Sequence, residues 1–187
     1  MNEWQVIVIE GHQRDVRAFV AGFVADRKVD PTQVVFGDDV GLEPESLGAR
    51  LRGLLRGGHH AMLAPSELAS ALADAIARGG DALGLRVADR HPIPGATFAL
   101  DAEVFSREVS ATIRAALRPL PDGVRFTQHA EHEHEHTEDK GVELYAPAHH
   151  YVYRVQGRLA GPLEGMLALR RQLAEIEAVR LTPLHLD

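Results

Sequence analysis

The sequence holds no cysteine at all. Disulfides, thiolate nucleophiles, iron–sulfur clusters and cysteine-type zinc fingers are therefore excluded by atom inventory, and any metal must sit on His, Asp or Glu. Aromatic residues make up only 5% of the chain. No apolar run approaches the roughly 20 residues that a membrane span requires. Met1 to Gln5 lacks the basic start of a signal peptide, so the sequence predicts a cytoplasmic protein with no membrane partner. Basic residues are also outnumbered, 20 Lys and Arg against 27 Asp and Glu, with a formal net charge of −7. Nucleic-acid binding draws most of its affinity from Lys and Arg releasing counterions, so nucleic acid is not an expected partner.

Glycine patterns that would mark a cofactor are missing as well. Gly11 stands alone, neither a Walker-type loop nor a Gly-x-Gly-x-x-Gly turn is present, and there is no Gly-x-Ser-x-Gly elbow. No nucleotide or flavin signature results.

What the chain does have is histidine, eleven of them. Protonating all eleven would carry the net charge from negative to positive, mostly near pH 6.5, where histidine ordinarily titrates.

Hydrophobic periodicity suggests an α/β (α+β) chain in two halves, residues 1–94 and 95–187. Val6 to Ile9 reads as a strand covered on both faces, ending at Gly11. Val16, Phe19, Val20, Phe23 and Val24 follow at helical spacing. Gln33 to Gly37 reads as a second strand, and Leu47, Leu51, Leu54 and Leu55 predict an inserted helix over about 45–56. Then come a strand from His59 to Ala64, a helix capped by Ser66, and a strand over Leu83 to Arg90 that stops before Pro92.

The second half repeats this order. Its elements are a strand over Ala96 to Val104, a helix opened by Ser106, a strand over Val124 to His136, a turn at Thr137 to Gly141, and a strand over Val142 to Val155. A helix with Pro162 in its first turn and a strand over Val179 to Leu186 complete it. Each half thus resembles the ferredoxin-like βαββαβ arrangement, a likeness of topology only. Two local echoes support a tandem repeat: Arg14-Asp15-Val16 with Arg107-Glu108-Val109, and His59-His60 with His149-His150.

In that topology the start of the third strand of each half lies beside the end of the first. Glu10 and His12 are then expected near His59 and His60, and Glu103 near His149 and His150. The strongest signal is the run from Glu131 to His136, where period-2 alternation puts three histidines on one face and three glutamates on the other. Same-face neighbours stand roughly 6 to 7 Å apart, and two imidazoles at that spacing can converge on one ion if an adjacent strand adds a ligand.

The sequence therefore predicts a divalent transition-metal-binding protein, with a metal-dependent enzyme as its extension. His132, His134, His149 and His150 are the expected ligands of a zinc- or nickel-like ion, with Glu103 as a further ligand or base; Glu10, His12, His59 and His60 form a candidate second site. One competing reading is a non-catalytic regulatory module that takes a small anionic molecule between the halves, at the helix N-termini. Another makes the long hairpin a metal-free arm for self-association into a homo-oligomer. The plainest treats the alternating charges as a way to keep a projecting arm soluble.

Overall fold

The computed structural model describes residues 3–42, 55, 58–138 and 148–187. It is a mixed α+β chain with two antiparallel sheets and, among the described residues, four α-helices. By its internal contacts the chain divides into two units, Met1–Ala96 with Pro183–Asp187, and Thr97–Thr182. The predicted inserted helix lies outside the described residues save for Leu55. No described helix is long and apolar enough to cross a membrane.

In the first unit the elements are β1 (Trp4–Glu10), α1 (Gln13–Arg27), β2 (Val35–Phe36), β3 (His60–Pro65), α2 (Ser66–Gly79) and β4 (Arg86–Ile93). The sheet order is β2-β3-β1-β4. Val6, Ile7, Val8 and Ile9 have no exposed surface, as their unbroken apolar run requires of a central strand. Ile7 and Ile9 pack with Val16, Val20 and Phe23 of α1 and with Leu72 and Ile76 of α2. That cluster joins the helical stripe to one sheet face.

Several boundaries differ from the sequence expectation. The second strand shrinks from Gln33–Gly37 to two residues, because Pro31–Gln33 forms a 3-10 turn capped by Asp30, whose Oδ1 accepts from the Thr32 N–H at 2.8 Å. Ser66 is the first residue of α2 rather than its cap; Pro65 holds the cap position and the Ser66 hydroxyl donates to Glu3 O at 2.8 Å. Pro92 does not end β4. As the outer strand of its sheet, β4 can spare one donor, and it runs on to Ile93 with Pro92 opposite Gln5.

In the second unit β5 (Ala96–Val104), α3 (Arg107–Leu117), β6 (Arg125–Glu138), β7 (Ala148–Gly161), α4 (Leu163–Ala174) and β8 (Val179–Leu181) follow in the same sequence of types. The strand order is again second, third, first, fourth: β6-β7-β5-β8. Along β5, Phe98, Leu100, Ala102 and Val104 are buried while Asp101 and Glu103 alternate with them on the other face. Ile113 of α3 and Met166, Leu169 and Leu173 of α4 are fully or almost fully buried.

β6 reaches farther along the hairpin than the sequence suggested, and β7, described from Ala148, runs on past the expected end at Val155 to Gly161. Strand pairing extends through Thr137 and Glu138, where a turn was expected. Pro162 caps α4 instead of entering its first turn. The expected last strand breaks into β8 and a short β9 (His185–Leu186), and Leu184 in the first unit donates its N–H to Gly41 O at 2.7 Å.

Candidate functional site

Alternation along β6 sends Glu131, Glu133 and Glu135 to the side that carries α3. There they meet an arginine ladder. Arg114 donates to Glu133 Oε2 at 2.6 Å, and its Nε lies 3.8 Å from Glu131 Oε1. Arg107 donates to Glu135, and Arg118 reaches within 4.0 Å of Glu131. Tyr151 donates to Glu133 Oε1 at 2.9 Å and Tyr153 to Glu131 Oε1 at 3.0 Å. The Arg114 guanidinium also sits 4.2 Å from the centre of the Tyr153 ring.

These bonds have electrostatic signatures. The hydrogen bond from Arg114, then that from Tyr151, holds the Glu133 carboxyl below the usual carboxylate range. Burial, then the bond to Glu131, pushes the Tyr153 hydroxyl up. The ladder was readable in principle: Arg107, Arg114 and Arg118 recur at i, i+7 and i+11, one face of a helix, opposite three glutamates at period 2. The run is therefore no arm wholly surrounded by water, since its glutamate side is docked.

The other face carries His132 and His134. His132 and His134 are exposed, and their rings lie parallel, 9° apart in plane with centroids 6.2 Å apart. Across the hairpin, the register sets His132 opposite Arg154, His134 opposite Val152, and His136 opposite His150. The His150 ring is 6.3 Å from that of Phe105, itself 64% exposed at the end of β5. Position 149 falls opposite Thr137, in the alternating series of Tyr151 and Tyr153. The backbone thus separates position 149 from the series of His132 and His134, contrary to the expected ligand set; the side chain of His149 lies outside the described part of the chain.

Glu103 shares the imidazole face, but its Oε2 lies 3.8 Å from Arg154 Nε. Glu103 and Arg154 line a cavity of about 420 Å³ together with Asp101, Phe105, Glu177 and Arg180. Gln156 donates to Asp101 Oδ1 at 2.9 Å on the same sheet. Among the described residues, no group of three or more His, Asp or Glu side chains gathers as metal ligands do.

The second candidate set does come together at one end of β1. His60 pairs with Ile9 in the register, and its Nε2 lies 3.2 Å from Gly11 O. His59 Nε2 stands 3.9 Å from Glu10 Oε2. His12 caps α1, its Nδ1 accepting from the Arg14 N–H at 3.3 Å. Glu10, however, is claimed by Arg86, whose Nε donates to Oε2 at 3.0 Å. Sequence reasoning misses Arg86 because strand periodicity does not show which residue of β4 faces Glu10; the register does, and it shifts between Val8 and Ile9 to set Glu10 opposite Arg86.

No family model and no curated protein matches the chain. Among solved structures, it aligns with an unknown protein from Galdieria sulphuraria at 11% identity, covering 100% of this chain and 98% of that one, with a TM-score of 0.28. It also aligns with the CRISPR-associated protein Cas6e from Escherichia coli str. K-12 at 12% identity, covering 96% and 99%, with a TM-score of 0.27. Scores this low carry no argument about fold or function.

Proposed function

We propose that this chain binds a divalent transition metal through the imidazole face of β6, on a scaffold of two tandem ferredoxin-like halves. The shared order of element types and of strands in the two units supports the scaffold. One observation carries the function: with the three glutamates bonded on the α3 side, His132 and His134 stand exposed and parallel on the opposite face, 6.2 Å between ring centroids. Neutral imidazoles suit zinc, nickel, copper and iron alike, with zinc or nickel as the first ions to try. A water completing the ion's shell would give it hydrolytic chemistry.

The test is elemental analysis of untagged protein purified without metal-affinity resin, followed by zinc and nickel titration. Tight binding that the His132→Ala/His134→Ala double variant loses is the expected result. Equal metal content in the variant and the wild type overturns the reading.

A second reading has its own observation, the 420 Å³ cavity walled by Asp101, Glu103 and Glu177 on one hand and Arg154 and Arg180 on the other. Such a wall suits a small zwitterion, whose ammonium and carboxylate groups would each find an opposite charge. Thermal-shift measurements with zwitterionic metabolites, run with chelator present, should then find a stabilising ligand. A response confined to divalent metals removes this alternative.

A further inference from the structure

Among the described residues β6 is the outer strand of its sheet, next to β7 alone in the order β6-β7-β5-β8, and it runs for 14 residues. An outer strand presents a row of backbone N–H and C=O groups to any strand that can pair with it. The segment from Glu131 to Glu135 reads Glu-His-Glu-His-Glu, the same in both directions. An antiparallel partner of identical sequence therefore meets it type for type.

We propose that two copies of this chain pair through β6, antiparallel and centred on Glu133, and hold one divalent transition-metal ion between His132 and His134 of each copy. The proposal rests on the imidazole-face reading above and adds its ligand set and stoichiometry.

The geometry follows from symmetry. A two-fold axis that joins antiparallel strands edge to edge stands normal to the sheet, so each face continues into the same face of the other copy. Residues directly opposite one another share a face, with Cβ atoms about 4.5 to 5.5 Å apart. With Glu133 on the axis, His132 lies opposite His134 of the partner subunit, and His134 opposite the partner's His132. Along each strand the same-face spacing is roughly 6 to 7 Å. Four imidazoles then stand at the corners of a small rectangle, the number and type that a tetrahedral zinc site takes at metal–nitrogen distances of about 2.0 to 2.1 Å. One chain contributes the parallel pair already in place.

The opposite face imposes the test that a palindromic charge pattern must pass. Glu133 meets the partner's Glu133, and like charges directly opposed destabilise a sheet. Here each carboxylate arrives hydrogen-bonded, Glu133 to Arg114 and Tyr151, Glu131 to Tyr153, and Glu135 to Arg107. The positive charge needed to offset the juxtaposition is thus built into α3. The register shift between Gln128 and Ala130 interrupts the ladder just before the palindrome, which bounds the pairing segment on that side.

Sedimentation of chelator-stripped protein, with zinc then added, reads both mass and stoichiometry. The expected result is a mass that doubles with zinc, at one ion per two chains, and that stays at one chain for His132→Ala/His134→Ala. Zinc bound at one ion per chain without a change of mass overturns the shared site and leaves the metal reading standing; no binding at all overturns both. Because the chain has no cysteine, a single Glu133→Cys substitution reports the register independently. It should cross-link two chains under mild oxidation severalfold more in zinc than in chelator, whereas Glu135→Cys, displaced from the axis, should not. Equal cross-linking at both positions overturns the pairing.

Discussion

The Tyr151 hydroxyl lies 2.6 Å from Ser110 Oγ on α3 and donates to Glu133 Oε1 at 2.9 Å on β6. The second bond is diagonal, since the register sets Glu133 opposite Tyr153. One buried oxygen thereby joins the helix to two strands: with its own proton given to Glu133 it accepts from the Ser110 hydroxyl, whose Oγ also lies 2.9 Å from Arg107 O.

Tyr151→Phe keeps the ring and deletes that junction. The bond to buried Ser110 supplies most of the loss, about 0.5 to 1.5 kcal/mol, because a neutral hydrogen bond has a modest net value. Urea denaturation should show a lower midpoint with an unchanged slope. An unchanged midpoint would mean that the hydroxyl merely fills space.

Glu133 gives the ladder a pH dependence. Its carboxyl is held below its ordinary value of 4.5, first by Arg114 and then by Tyr151. A depressed folded-state value contributes stability that is present above the unfolded value and lost as pH falls through the folded one. Wild type should therefore melt above Glu133→Gln at pH 6 to 7, and the gap should close as pH drops below about 4.5. A gap independent of pH would show that shape, not charge, holds Glu133 in place.

Arg114 reaches two of the three glutamates and covers the Tyr153 ring. These pairs are partly solvated, so their contribution is small. Arg114→Met should raise amide hydrogen exchange along β6 from Ala130 to Glu135 by roughly 2- to 5-fold, with the core of β5 unchanged. Exchange at wild-type rates along the whole strand would mean that the hairpin is held by its backbone ladder alone.

How much of this was legible in the sequence follows from what each signal measures. The run Val6 to Ile9 and the stripe from Val16 to Val24 mark β1 and α1 because a central strand and a core-facing helix both write their burial into residue type. Pro92 misled because its tolerance depends on β4 being an outer strand, a property of sheet order. The alternation from Glu131 to His136 shows two faces but not which one a helix covers. That was decided by Arg107 and Arg114 on a distant segment. His149 and His150 differ by parity across the hairpin: a turn at Thr137 to Gly141 would set His136 opposite Val142, whereas the observed register sets it opposite His150, a shift that keeps parity but changes which residues of β7 the histidines meet.

Gly157 tests the hairpin register on the other side of the ladder shift. It sits on β7 opposite Gln128, where the ladder shifts between Gln128 and Ala130. A Cβ there would overlap Phe126 Cε2 and lie 2.7 Å from Thr127 O, a backbone atom fixed by the neighbouring strand. Gly157→Ala should thus cost about 1 to 3 kcal/mol, as overpacking of an ordered site does. Phe126→Ala in the same chain removes the ring overlap but leaves the carbonyl in the way, so rescue should be partial. Full rescue would assign the whole demand for glycine to the ring; no loss in Gly157→Ala itself would mean that β7 meets Arg125 to Gln128, the stretch before the shift, in a different register.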